Sequence, residues 1–245
     1  MRMTIQAVDR IYSSYSHVYD WGFGFFFRPR VKELIRRLDI KPGERVLELG
    51  FGTGCSLAYY PPGVSVYGVD ICRAMLAEAE IKRAQRPDLD VHLLEMDATR
   101  LAFEDGMFDY VIGAFMCTVV EDPYRLIAEM LRTCKPNGKL ALVNHFMSER
   151  RPIAWIERLI NPLTKRVGWR TDLRVRDLVE NTPIRVLETS SLFKIDMFTF
   201  VFFDRKQPRA TSFPPALPCH MDHMDVGRAA DAALAGRGLA TAGQG

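Results

Sequence analysis

The sequence predicts an α/β fold, a mostly parallel sheet of seven strands with helices on both faces, and three observations point to it. Short apolar runs recur between residues 45 and 143 and alternate with segments of helical periodicity, the pattern of strands joined by crossover helices. The first run passes straight into a turn holding Gly50, Gly52 and Gly54, after which a helix is expected. Two later runs, 185–191 and 197–203, lie close enough in sequence to pair as an antiparallel hairpin at the sheet edge.

Taken in order, residues 4 to about 40 read as helical. Ile5, Val8, Ile11, Tyr12 and Tyr15 recur at spacings of three and four, Gly22 and Gly24 interrupt the pattern, and Val31, Leu34, Ile35 and Leu38 resume it after Pro29. Strands follow at 45–49, 64–69, 91–96, 110–115 and 139–143. Helices are expected at 73–86 and at 123–134, the second opened by Asp122 as a cap with Pro123 in its first turn and closed near Gly138. The chain therefore divides into an N-terminal helical cap (1–40), a core domain (41–206) with a basic amphipathic insertion at 146–176 after the fifth strand, and a tail (207–245) rich in Pro, Ala and Gly that reads as flexible.

Composition narrows the function. With 48% hydrophobic and 26% charged residues the bulk of the chain should fold. A net charge of +3 gives no ground for nucleic-acid binding. Five scattered cysteines without CxxC spacing predict neither disulfides nor a metal site, and fit a reducing cytoplasm. No apolar run nears the roughly 18 residues of a spanning helix, and the N-terminus lacks a signal-peptide pattern, so a soluble or peripheral protein is expected.

The turn after the first strand, Glu48-Leu49-Gly50-Phe51-Gly52-Thr53-Gly54, lets a ligand approach the backbone without Cβ interference. Twenty residues beyond Gly50, Asp70 ends the second strand beside Ile71, where a carboxylate can accept from both hydroxyls of a ribose. A third glycine of GxGxxG is missing, because Cys55 and Ser56 follow Gly54, and Glu48 would repel a pyrophosphate; a dinucleotide is disfavoured and a ligand carrying an ammonium group favoured. Asp97 and Ala98 end the third strand, where a carboxylate and a neighbouring N–H can meet an adenine.

These residues, with Phe108-Asp109, resemble the ordered motifs of class I methyltransferases, Rossmann-like enzymes. The resemblance implies S-adenosyl-L-methionine as cofactor, Glu48 with Gly50 at its methionine end, Gly52 and Gly54 in the loop, Asp70 with Ile71 at the ribose, and Asp97 with Ala98 at the adenine.

Three features remain for an acceptor. Tyr12, Tyr15, Tyr19, Asp20 and Trp21 gather aromatic groups just before the core; Asn144 and His145 end the fifth strand at the carboxyl edge, where such folds bind substrates; and residues 148–176 hold eight basic residues against three acidic ones. Ile153, Ile156, Leu159, Ile160 and Leu163 add an aliphatic stripe flanked by Trp155 and Trp169. This segment reads either as a surface for anionic lipid or as a lid with solvated arginines, and Phe23, Phe25, Phe26 and Phe27 either insert beside it or join the core.

Tyr-Ser-His-Val-Tyr-Asp at 15–20, Val143-Asn144-His145 and Gly168-Trp169-Arg170-Thr171-Asp172 together resemble the soluble bacterial phosphatidylethanolamine N-methyltransferases. The resemblance implies stepwise methylation of a phospholipid amine, toward phosphatidylcholine, by a cytoplasmic protein associated with the inner face of the membrane. An amine acceptor must lose a proton, and His145 is of the residue type that titrates nearest neutral pH; Tyr15 and Tyr19 could orient the amine and meet a methylated ammonium through their rings. The competing acceptors are a quinone precursor or a sterol-like lipid methylated at carbon or oxygen; a non-catalytic cofactor-binding or membrane-adaptor protein is the alternative of another class.

Overall fold

The computed structural model describes residues 24–147, 155, 159, 161, 171–192 and 198–205, all within a unit spanning Met1–Lys206. The helix expected before Gly22, with Tyr15 and Tyr19, most of the 146–176 insertion and the tail from 207 lie outside the described residues.

Strands β1 (Arg45–Leu49), β2 (Ser65–Asp70), β3 (Asp90–Glu95), β4 (Phe108–Ala114), β5 (Cys134–His145), β6 (Ile184–Ser190) and β7 (Phe198–Arg205) form one sheet in the order β3-β2-β1-β4-β5-β7-β6. The pairs among β1 to β5 are parallel, whereas β7 runs antiparallel to both β5 and β6. The expected hairpin thus forms at the edge, with β7 inside and β6 outermost. Chain order reverses between β1 and β4, which opens a crevice beyond their carboxyl ends.

Alternation along the strands sends successive side chains to two separate cores. On one face Val46, Val66, Ile112, Val143 and Phe200 pack under α1 (Gly24–Leu38) and α2 (Arg73–Arg83). On the other Leu47, Leu49, Val111, Leu142 and Phe203 pack under α3 (Pro123–Thr133) and α4 (Val175–Asn181). α1 buries the stripe Val31, Leu34, Ile35 and Leu38. Phe27 in its first turns meets Phe115 at the end of β4, while its last residue, Leu38, receives Lys139 Nζ on its carbonyl. α1 therefore runs antiparallel to β5 and begins at the carboxyl rim of the sheet. α3 starts as its sequence foretells, Asp122 accepting from the N–H groups of Tyr124 and Arg125, each at 3.0 Å, with Pro123 next in line.

The structure departs from the sequence reading in four places. α1 starts at Gly24 and continues through Pro29, because the apolar stripe beyond it fixes the axis despite the missing donor. A turn of 3-10 helix, Cys55–Tyr59, stands where an α-helix was expected after the glycine loop, since Pro61 and Pro62 bar continuation. β5 begins at Cys134 rather than 139: Phe108 pairs with Cys134 and Tyr110 with Lys139, so Lys135 to Gly138 bulge out opposite Asp109. α4, a separate short helix on the α3 face with Leu178 buried, stands where the sequence reading placed no element beyond the end of the insertion.

Candidate active site

The glycine loop leaves β1 at the carboxyl rim. Gly50 and Phe51 both donate to Val69 O, at 2.9 and 3.0 Å, tying the turn to β2. Gly50, Gly52 and Gly54 have φ of +70, +58 and +70°, a left-handed conformation repeated at alternate residues that other L residues adopt only with strain. Their surroundings differ. A Cβ on Gly50 would stand 2.2 Å from Met116 Sδ, and one on Gly54 would press on Ala79 and Phe51, but one on Gly52 would meet nothing nearer than 4.0 Å. The backbone at Gly52 therefore has open space beside it, as a ligand cradle requires.

Asp70 ends β2 with its carboxylate spanning two backbone donors, Oδ2 accepting from Gly52 N at 2.8 Å and Oδ1 from Cys72 N at 2.9 Å. It braces the loop while staying half-buried at the rim, next to half-buried Ile71. Asp97 lies two residues past β3 and folds its own turn, Oδ1 accepting from Thr99 N and Thr99 Oγ1, both at 2.8 Å; Ala98 beside it is buried.

Glu48 behaves differently from the other two carboxyls. It points into the α1 face and is buried, accepting from the Tyr60 hydroxyl at 2.7 Å. Burial pushes its pKa up to about 7, against the opposing pull of Tyr60 and of the Ser56 hydroxyl, which lies near it outside good hydrogen-bond geometry. Burial and the Glu48 charge raise Tyr60 well above its usual value, so the phenol stays a donor. Sequence reasoning missed Tyr60; its signal was an aromatic hydroxyl just before Pro61-Pro62, one short turn past the loop.

The fit to a cationic nucleoside cofactor is good. Carboxyl groups stand at or just past the ends of β1, β2 and β3, around a turn whose middle glycine is open. By contrast Asp109, which the motif resemblance included, lies near the start of β4 at the amino rim. Burial opposes its charge, but Lys135 Nζ at 2.6 Å and Arg45 N at 3.0 Å outweigh that and hold its pKa low; its work is to fasten β1 and β5 to β4.

At the acceptor end, Asn144 and His145 occupy the last two paired positions of β5, opposite Thr199 and Phe198. Both are buried. Being successive strand residues they face opposite sides of the sheet, so the structure does not bring their side chains together. Asn144 Nδ2 donates to Thr118 Oγ1 at 2.9 Å and to His145 O at 3.0 Å, and among the described residues its fully buried Oδ1 accepts no hydrogen bond. His145 lies on the α1 side with its ring centre 6.4 Å from that of Phe198. Phe27, Phe115 and Phe198 form a cluster there with centroids 4.3–5.7 Å apart, and Phe115 holds φ of +61°, strained for a bulky residue. No pattern in the sequence flagged Phe115 or Phe198.

A family model described as "Methyltransferase domain" matches residues 47–142, which run from β1 almost to the end of β5 and carry the loop, Asp70 and Asp97. The chain is an S-adenosyl-L-methionine-dependent methyltransferase of the Rossmann-like class. Within that class it is similar to the phosphatidylethanolamine N-methyltransferase of Cereibacter sphaeroides, at 33% identity over 205 residues that cover 83% of this chain and all of that protein, and it belongs to that family. The demethylmenaquinone methyltransferase of Renibacterium salmoninarum is 40% identical over 102 residues, 41% of each chain. Among solved structures, phosphoethanolamine N-methyltransferase 2 of Haemonchus contortus, in complex with phosphomonomethylethanolamine and S-adenosylhomocysteine, superposes with a TM-score of 0.64 at 19% identity, over 84% of this chain and 61% of that one.

Proposed function

We propose that the protein methylates the amino group of phosphatidylethanolamine and of its methylated derivatives, toward phosphatidylcholine, while docked on an anionic membrane surface. The observation that carries this reading is how far the similarity extends. The phospholipid enzyme is matched over its whole length, whereas the demethylmenaquinone methyltransferase from Renibacterium salmoninarum is matched over less than half.

The cofactor supplies an activated methyl group on a sulfonium whose departing thioether is neutral. What falls to the chain is alignment and deprotonation. Glu48 with Gly50 would hold the methionine end beside the open loop of Gly52 and Gly54, Asp70 with Ile71 the ribose, and Asp97 with Ala98 the adenine. His145 takes the proton from the head-group ammonium. Asn144, on the other side of β5, fixes the strand end through Thr118 and the His145 carbonyl. Tyr15 and Tyr19 belong to the chain that leads into α1, which begins at the same rim, and they are assigned to orienting the amine.

Membrane docking draws support from the insertion. Among the described residues no helix is long and apolar enough to cross a bilayer. Trp155 and Leu159 are each 65% exposed, and Asn161 is buried, donating to Asp172 Oδ2 at 3.0 Å and accepting from Thr171 N at 3.1 Å. All three are helical. A tryptophan and a leucine of the insertion thus face outward while its asparagine is pinned to Thr171 and Asp172. Exposed Trp and Leu in a segment rich in arginine are the components of an interfacial helix.

The test is a turnover assay with labelled S-adenosyl-L-methionine and three acceptors: vesicles containing phosphatidylethanolamine, soluble phosphoethanolamine, and demethylmenaquinone. Mass spectrometry should find mono-, di- and trimethylated phospholipid. Label appearing only in the quinone, or only in soluble phosphoethanolamine, refutes the proposal.

A further inference from the structure

Tyr60 follows the short 3-10 turn after the glycine loop, and none of the cofactor motifs includes it. It is 3% exposed and packs in the core that holds Val46, Leu57, Val66 and Ile112. Phenylalanine would serve for packing alone, because a buried hydroxyl needs a partner. That partner is Glu48, equally buried, whose Oε2 accepts from the Tyr60 hydroxyl at 2.7 Å. Among the described residues this is the one hydrogen bond to a carboxylate able to accept about four. A carboxylate with a single donor is costly in an apolar core, so the pair adds little to the stability of the empty protein. A cation beside it changes that balance.

The other end of Tyr60 is fixed as well. Standing before Pro61, it is held extended, with φ of −69° and ψ of 138°. Its carbonyl accepts from Arg86 Nη2 at 2.9 Å, and Arg86 Nη1 donates to the carbonyl of Leu57. Asp88 grips the same guanidinium through Oδ1 and Oδ2, at 2.9 and 2.7 Å. A hydroxyl on a ring so anchored sets where the carboxyl stands.

We propose that Tyr60 is a positioning residue for the cofactor: its hydroxyl holds the Glu48 carboxyl at the head of the glycine loop and leaves the remaining acceptor capacity to the ligand's ammonium group. The inference rests on the reading of Glu48 as the residue at the cofactor's methionine end and adds what holds it there.

The pairing carries a proton balance. Burial raises the carboxyl to a pKa of about 7, so about half of the empty sites hold the proton at pH 7. An ammonium favours the carboxylate, and binding therefore releases that proton to solvent, in greater number as pH falls. The Tyr60 hydrogen bond favours the carboxylate too, which places it on the side of binding. Among the described residues the other groups around the pair act elsewhere. In the 3-10 turn the Cys55 charge bears on Tyr60, after burial and Glu48, and burial and Cys55 raise Tyr59 against the pull of Arg28 from α1. Lys82 of α2 reaches Thr53 Oγ1 at 3.0 Å, and the residues beside Glu48 in β2 and β4 are Gly68 and Ile112.

The experiment is calorimetric titration with S-adenosyl-L-methionine, without acceptor, at about pH 6, 7 and 8 in buffers of differing ionisation enthalpy. It yields the affinity and the protons released for wild type, Tyr60→Phe and Glu48→Gln, with thermal unfolding of each alongside. Tyr60→Phe should weaken binding about tenfold at pH 6 and only about twofold at pH 8, because without its donor the carboxyl holds the proton more tightly. The protons it releases at pH 8 should exceed the wild-type number. Titration of the cofactor itself is common to both proteins and cancels in the ratio. A loss equal at all three pH values, or no loss, makes Tyr60 a packing residue and overturns the inference. Should Tyr60→Phe fail to fold, a ring-fluorinated tyrosine at position 60 decides: being the stronger donor, it must strengthen binding most at pH 6, and an unmoved profile overturns the inference. Glu48→Gln with wild-type affinity and proton release overturns the placing of Glu48 at the methionine end and this inference together. A weakened Glu48→Gln beside a Tyr60→Phe of wild-type profile overturns the inference alone.

Discussion

Replacing Glu48 by glutamine keeps the shape of the site and its partner Tyr60 but removes a titration whose cost can be worked out. The carboxyl is buried and its pKa rises from 4.5 to about 7 on folding. Below pH 4.5 it is protonated in both folded and unfolded chains. Between 4.5 and 7 the unfolded chain releases its proton and the folded one keeps it, so the stabilising contribution is full at low pH and is lost as pH rises through 7. The whole loss is about 3 kcal/mol, and the part between pH 5.5 and 8 is about 2 kcal/mol. Urea denaturation of both proteins without cofactor, at half-unit steps over that range, isolates the effect, since all other groups cancel in the difference. The glutamine variant should gain about 2 kcal/mol on wild type as pH rises from 5.5 to 8. Parallel curves, or a variant that loses ground with pH, would show that the Glu48 carboxyl is not a buried acid of raised pKa.

Three further predictions concern the loop, the rim and the insertion. Gly50→Ala combines left-handed strain of about 1–2 kcal/mol with a clash against Met116 of about 1–3 kcal/mol. Adding Met116→Ala should recover at least about 1 kcal/mol in a denaturation cycle, and strictly additive losses would contradict the contact. His145→Ala should lower turnover about a hundredfold while cofactor affinity measured by calorimetry stays nearly constant; a matching loss of cofactor binding would make the residue structural. Changing Arg150, Arg151, Lys165 and Arg166 together to glutamine should weaken co-sedimentation with anionic vesicles, most at low salt, and raise the apparent KM for vesicle lipid; unchanged sedimentation would make the segment an ordinary lid.

Much of this architecture is legible in the sequence because local signals agree with the fold. Asp122-Pro123 announces α3, and the glycine spacing after β1 foretells three left-handed residues. Elements decided by distant partners were not legible. β5 continues past a Pro-Asn-Gly bulge because Cys134 finds Phe108, and the 3-10 turn stops at a pair of prolines whose influence reaches back several residues. Of the site, the carboxyl-bearing strand ends followed from spacing. That Asn144 and His145 face opposite ways was available from strand alternation, while Tyr60 and Phe198 became visible only when α1, the loop and β7 met.

The antiparallel placement of β7 has a bearing on handling the protein. β5 ends, β7 begins, β6 ends and α1 begins on one rim, so every stretch of chain leading toward residues 1–23, 148–170 and 193–197 departs from the side that carries Gly52, Asp70 and His145. The amino rim carries short helix-to-strand connections fastened by ion pairs such as Lys135 with Asp109 and Lys41 with Asp39. A dye, a surface tether or a fused reporter is best attached among its exposed residues, for instance at Pro136 or Asn137, where it leaves the carboxyl rim uncovered.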